Sequence, residues 1–230
     1  MSAHARVLNF AKPALTLGHE FAEVDELDAG VQGRCKRGDR VLVRYLPSCG
    51  ECPNCLKGLG TRCLRRPQDS TYGMNADGGF AEYCRVGADR LVPLPEEFDW
   101  AFAAALGCAG LTAYHAVKYV ANVREGENVG LYGIGGVGLY ALQIAKLAGA
   151  RALAIGRSEA KLNMARTLGA DSVISAAGKS GPDIVNAIGD ASVRYGVDVM
   201  LDFVVNDDSV GISLGSMSPR GPGPLRTAAG

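Results

Sequence analysis

Four cysteines fall in one short run, CGECPNCLKGLGTRC, at Cys49, Cys52, Cys55 and Cys63. The spacing C-x2-C-x2-C-x7-C delivers four thiolates compactly enough to close a tetrahedral shell around one zinc ion. Gly50, Pro53, Asn54, Gly58 and Gly60 supply turn residues where the loop must double back. The run has little apolar material, so a metal would hold its shape. Disulfide pairs or four unrelated thiols are the alternatives. The close spacing, with no secretory signal ahead of it, favours metal. Four thiolates leave no open position for a substrate, so this zinc is structural and the chemistry must lie elsewhere.

A second constellation could handle a nucleotide. Asn128 to Ile134 (NVGLYGI) reads as a buried parallel strand. Gly133, Gly135, Gly136, Val137 and Gly138 then form a G-x-G-x-x-G turn, followed by LYALQIAKLAGA at helical spacing. Leu139, Leu142, Ile144 and Leu147 are expected to face a sheet, with Gly149 as the stop. A second strand follows over Arg151 to Ile155. In this strand–turn–helix–strand setting the glycines let backbone N–H groups and the helix N-terminus approach a pyrophosphate. An Asp or Glu closing the second strand would hold an unphosphorylated ribose. The chain has Gly156, Arg157 and Ser158 there. Gly156 leaves room, Arg157 can pair with a 2′-phosphate and Ser158 can donate to it, which favours NADP(H), with NAD(H) possible. The competing reading makes Arg157 a solvated charge at a helix start.

Those residues need elements to carry them. Ser158 is expected to cap a helix closed by Gly169. Asp171 to Ser175 and Val197 to Phe203 read as further strands, with a helical turn over Ile184 to Gly189. Strands alternating with helices mean a doubly wound parallel sheet. The first part of the chain instead carries short strand candidates, such as Arg40 to Tyr45 and Phe80 to Val86, broken by Gly, Pro and Asp. The period changes near Leu111 to Lys118. Of 230 residues 47% are hydrophobic, enough for one or two cores, and 24 basic side chains balance 24 acidic ones. That balance gives no electrostatic reason to expect a nucleic acid or a membrane as partner, and no apolar run of spanning length is expected. Seven cysteines with a metal-type cluster point to a reducing, cytoplasmic setting.

Seven runs in order resemble the medium-chain, zinc-containing alcohol dehydrogenases. They are TLGHEFA, KRGDRVLV, the four-cysteine lobe, GGFAEY, LGCAGLTAYHAV, GIGGVG and SEAKLNMARTLGAD, lying between Thr16 and Asp171. The resemblance implies an α/β fold: a GroES-like β-barrel over residues 1–116 with a zinc lobe at 49–63, and a Rossmann domain over 117–210. It implies reversible hydride transfer between an alcohol and NAD(P), with an alcohol, aldehyde or ketone as the small-molecule substrate. It puts the structural zinc on Cys49, Cys52, Cys55 and Cys63, and a catalytic zinc on His19 and Cys108, with Glu20 beside or on that metal. Thr112 falls where the family packs a threonine against the nicotinamide. Cys35 and Cys84 match no ligand position and read as structural. His115 reads as a helix residue and His4 as a terminal one.

The chain also departs from the family pattern. No cysteine precedes His19, so the first catalytic-zinc ligand and the proton-relay Ser or Thr after it have no counterpart. Residues 211–230 read as an irregular tail rich in Gly, Pro, Ser and Arg. The resemblance therefore implies a partial barrel and a partial Rossmann sheet, truncated at both ends. The family's homo-oligomers would lose their usual dimer edge, and activity would be impaired. A non-catalytic, zinc-stabilised nucleotide-binding remnant is the alternative from another class. A reductase relative without catalytic zinc ranks below it, because such proteins usually lack the four-cysteine lobe.

Overall fold

The computed structural model describes residues 14–20, 35–67, 70–192 and 196–219 and the backbone of 227–229. The chain forms two compact units, Met1–Cys108 and Ala109–Gly230. The division falls inside a helical run, just before the stretch Leu111 to Lys118 where the period changes.

In the first unit, β1 (Val41–Val43) pairs antiparallel with β2 (Leu91–Pro93), Leu42 opposite Val92. Val41 and Val43 point inward and are essentially fully buried, with Leu91, Cys35, Tyr72 and Val86 packed around them. The four-cysteine loop carries α1 (Pro53–Leu56). The strand expected over Phe80 to Val86 does not form. Phe80 and Tyr83 are exposed, so no apolar face there demands a sheet, and the amides of Gly78, Gly79 and Phe80 serve residues 16–18 instead. Helix α2 (Trp100–Ala105) starts at Asp99, whose Oδ1 accepts from the Phe102 amide at 3.0 Å. It passes through a π-helical turn, Leu106–Gly110, into α3 (Leu111–His115) of the second unit and a second π-turn, Ala116–Val120. Among the described residues this run, Trp100–Val120, is long and apolar enough to cross a membrane, with mean hydropathy 1.3. The sequence reading expects no such run. Alanines raise its hydropathy, and Ala113, Ala116 and Val117 join the core of the second unit.

The second unit is a parallel sheet in the order β5-β4-β3-β6-β7. Its strands are β3 (Asn128–Tyr132), β4 (Arg151–Gly156), β5 (Ser172–Ser175), β6 (Val199–Asp202) and β7 (Thr227–Ala229). Side chains alternate between two faces, as a strand's period of two requires. Val129, Leu131, Ala152 and Ala154 join one apolar cluster, and Tyr132, Leu153 and Ile155 join the other. Helices α4 (Gly136–Leu147) and α5 (Glu159–Thr167) cover the first face, and α6 (Gly181–Ala191) the second. The buried stripe of α4 is Gly138, Ala141, Leu142 and Ala145, spaced i, i+3, i+4, i+7. Leu147 is off that stripe and 87% exposed, against expectation. Helix α6 is longer than the single turn read from the sequence. Pro182 and a capping box between Ser180 and Asp183 start it a turn before its first buried residue, Ile184.

The tail is less irregular than its composition implies. Helix α7 spans Asp207–Gly215, started by a reciprocal cap between Asn206 and Ser209. Strand β7 pairs in parallel with β6, Leu201 opposite Ala228. A ladder needs only backbone donors and acceptors, so a segment without strand-like alternation can occupy an open edge.

Asp171 ties α4 to the sheet. Its Oδ2 accepts from Lys146 Nζ at 2.8 Å and from the Ala152 amide at 2.7 Å. Burial works against the carboxylate's charge, but Lys146 and the Ala152 amide outweigh it and hold its pKa below the ordinary value. A depressed native pKa adds stability that is present above the unfolded-state carboxylate range and is lost as pH falls through the native value. Asp171→Asn is expected to cost about 1 kcal/mol at neutral pH, the site being partly exposed. Thermal melts against pH should show the gap from the parent chain closing in acid. A gap that is independent of pH would remove the charge from the explanation.

Candidate metal and nucleotide sites

In the first unit, backbone pairing brings the GHE run into place. The amides of Gly78, Phe80 and Gly79 donate to the carbonyls of Thr16, Leu17 and Gly18 at 2.8–2.9 Å. The approach is so close that a Cβ on Gly78 would lie 2.0 Å from the Gly18 carbonyl oxygen, so only glycine fits. His19 and Glu20 follow directly, while Phe21 and Ala22 of that run lie outside the described residues, as does His4. Cys108 sits in the first π-turn, a local widening of the helix often found at functional positions. One ligand atom each from His19, Glu20 and Cys108 lies within 4.8 Å of the others. A nitrogen, an oxygen and a sulfur donor at that spacing suit a zinc that keeps a position open.

Tyr45 joins this cluster, and the sequence reading missed it as anything but a strand residue. Its hydroxyl lies 3.9 Å from Cys108 Sγ, and its ring lies 4.8 Å from the His19 ring. Burial, then Cys108, pushes the Tyr45 pKa up to about 12. Burial also raises the Cys108 thiol, with the Tyr45 hydroxyl opposing and Glu20 adding. No spacing signal marks Tyr45, because its link to His19 and Cys108 is purely tertiary.

The four-cysteine loop closes on itself. Sγ–Sγ separations are 3.4 Å for Cys52–Cys55, 3.9 Å for Cys49–Cys55 and 4.0 Å for Cys52–Cys63. All four sulfurs lie within 4.8 Å of one another. A tetrahedron with Zn–S bonds of about 2.3 Å has edges near 3.8 Å, so the cage matches zinc. The amides of Cys49 and Cys52 donate to Cys63 and Cys49 sulfurs, both at 3.3 Å. Backbone N–H groups favour the thiolate at Cys52, lowered to about 6, and at Cys63, also lowered. Burial and the neighbouring Cys52 push Cys55 up to about 11. Outside the cage, Cys35 packs beside β1, and Cys84 Sγ donates to the Asp77 carbonyl at 3.5 Å.

In the second unit, the glycine turn links β3 to α4. Gly133 has φ +98° and donates to the Ile155 carbonyl at 2.9 Å. A Cβ on Gly138 would lie 2.2 Å from the Gly133 oxygen, so the helix start is drawn tight against the turn. A Cβ on Gly135 would meet nothing within 4 Å. Its backbone therefore faces open space, a cradle suited to a pyrophosphate. Val137 follows on α4, packed against the core. Gly156 closes β4, and Arg157 and Ser158 are exposed beyond it. Ser158 occupies the cap position of α5, but its side chain makes no capping bond, contrary to expectation. Thr112 is half-buried on α3, and His115 ends that helix.

Residues 2–96 match the alcohol dehydrogenase GroES-like domain, and residues 136–222 match the zinc-binding dehydrogenase domain. An alcohol dehydrogenase of Geobacillus stearothermophilus is 43% identical over 168 residues, 71% of this chain and 48% of that protein. The alcohol dehydrogenase of Aeropyrum pernix is 32% identical, with a TM-score of 0.79 over 94% of this chain and 62% of that one. A cobalt- and zinc-bound thermostable alcohol dehydrogenase from Pyrobaculum aerophilum is also 32% identical, with a TM-score of 0.79 over 97% of this chain and 61% of that one. The chain spans about half the length of the curated relatives it matches. A GroES-like domain followed by a parallel α/β domain is the arrangement of the zinc-binding dehydrogenase class. The chain belongs to the medium-chain zinc alcohol dehydrogenase family.

Proposed function

We propose that this chain is a zinc- and nicotinamide-dependent oxidoreductase that moves hydride between a small alcohol and NADP(H). The observation that carries the reading is the cluster of His19, Glu20 and Cys108, three unlike donors gathered within 4.8 Å. The four cysteine sulfurs would hold a second, structural zinc, which fits a reducing cytoplasm. A zinc on the mixed cluster would supply Lewis-acid polarisation of an alcohol or carbonyl oxygen. His19 and Cys108 would fix it and Glu20 would complete or exchange with its shell. The thiol of Cys108, disfavoured as an anion by burial, would be offset by the cation's charge. In the second unit, Gly133 to Gly138 would receive the pyrophosphate on bare backbone, and Thr112 would pack on the nicotinamide.

Arg157 supports the choice of NADP(H). It is exposed where a 2′-phosphate would project, and no carboxylate occupies Gly156 to Ser158. The test is fluorescence titration with NADPH and NADH, with NADP⁺-coupled oxidation of primary and secondary alcohols on the same preparation. NADPH is expected to bind tighter, and Arg157→Ala to cost about 1.5–3 kcal/mol with NADPH alone. Equal affinity for both, unchanged by the substitution, would make Arg157 a surface charge. Nucleotide binding without turnover of any alcohol would instead favour a binding role without hydride transfer.

A further inference from the structure

The loop after β6 is held by one buried carboxylate. Asp202 is 5% exposed, yet both its oxygens are engaged. Oδ1 accepts from the amides of Val204 at 2.9 Å and Val205 at 3.1 Å, and Oδ2 accepts from the Ser209 hydroxyl at 2.6 Å. Ser209 is in turn locked to Asn206 through the cap of α7. The lock imposes an unusual conformation. Val205 has φ +51°, a region that a β-branched residue enters only when its surroundings force it. Val204 and Val205 are left 45% and 48% exposed.

This loop forms one wall of the glycine turn. A Cβ on Gly133 would meet Val204 Cγ2 at 2.8 Å and the Val204 nitrogen at 3.4 Å, and a Cβ on Gly138 would lie 3.6 Å from Phe203 Cδ2. Two half-exposed apolar side chains are thus presented beside the open backbone of the turn. We infer that Asp202 is a positioning residue for the dinucleotide: it holds Val204 and Val205 as an apolar ledge beside the glycine turn, on which the bound cofactor rests. This inference stands on the dinucleotide reading of that turn.

NADPH titration of four chains, each followed also by circular dichroism and thermal melting, tests it. Asp202→Ala is expected to weaken binding roughly tenfold or more, since three hydrogen bonds to a charged acceptor are lost. Asp202→Asn should restore most of the affinity, because the amide oxygen can accept from both backbone N–H groups and its NH2 can donate to Ser209. Val205→Gly with Asp202 kept leaves the lock in place and suits the left-handed position, so it should hold or raise the melting temperature while removing half of the ledge and weakening binding. Parent-like affinity in Asp202→Ala, or in the folded Val205→Gly chain, would overturn the positioning role alone. A folded parent chain that binds neither NADPH nor NADH would overturn the dinucleotide reading and this role with it.

Discussion

Cys52→Ser is expected to release the zinc of the four-cysteine loop and to unfold residues 49–63. The loop has almost no core of its own. Helix α1 buries no residue, Leu56 and Leu64 are 75% and 68% exposed, and Cys52 is the one residue there that is fully buried. Exposed ion pairs do not compensate, because the Arg65–Glu51 pair spans 4.0 Å with both side chains largely in water. Structural zinc binding contributes an apparent ~10–16 kcal/mol in small zinc domains, which exceeds anything else this segment can offer. A serine hydroxyl is a poor zinc ligand at neutral pH. It would also leave Cys55, 3.4 Å from the lost sulfur, without its nearest partner. Metal analysis of the purified chain should fall by about one zinc per chain in the variant. Limited proteolysis should open new cleavage near Gly58 and Gly60. Unchanged zinc content would overturn the assignment of this cage.

This loop was legible because its chemistry is local. Four ligands within fifteen positions must meet wherever the rest of the chain goes, so spacing alone reveals the cage. The glycine turn was legible for the same reason, as were β3, β4 and α4, whose apolar periods are strong. The His19–Glu20–Cys108 cluster is of another kind. No spacing rule joins residue 19 to residue 108, and only the family resemblance brought them together before the backbone pairing of 16–18 with 78–80 was visible. Tyr45 and Asp202 escaped altogether. Tyr45 meets His19 and Cys108 only through tertiary contact, whereas the partners of Asp202 lie within its own loop, at Val204, Val205 and Ser209, and neither residue type carries a spacing pattern that marks it. Leu147 follows Leu142 by five residues, which turns it away from the buried stripe of α4, and that stripe includes Gly138, Ala141 and Ala145, small residues that let the helix sit close to the sheet. The tail misled in the opposite sense. Its Gly and Pro content read as irregular, but α7 is nucleated by side-chain caps at Asn206 and Ser209, and β7 by the open edge of β6.

Gly138→Ala is expected to destabilise the second unit and to abolish dinucleotide binding. In an ordinary helix the change would stabilise by up to about 1 kcal/mol, since alanine is the better helix former. Here the new methyl group would lie 2.2 Å from the Gly133 carbonyl oxygen, well inside van der Waals contact. Neither partner can yield cheaply. The Gly133 carbonyl accepts from the Gly135 amide at 3.0 Å, and Gly133 itself is anchored to Ile155. Helix α4 cannot retreat without uncovering Ala141, Leu142 and Ala145, all fully buried. Overpacking against backbone costs about 3 kcal/mol at the upper end of the usual range, so the steric term outweighs the propensity gain by roughly 2 kcal/mol. Any relaxation must widen the turn, and that moves the amides proposed to receive the pyrophosphate. Gly189→Ala in α6 is the matched control, because a Cβ there meets nothing within 4 Å. It should raise the melting temperature slightly and leave NADPH affinity unchanged. A Gly138→Ala chain as stable as the parent and with full affinity would show that the turn is looser than its contacts require, and the close packing of Gly133 on Gly138 would then have no part in forming the cradle.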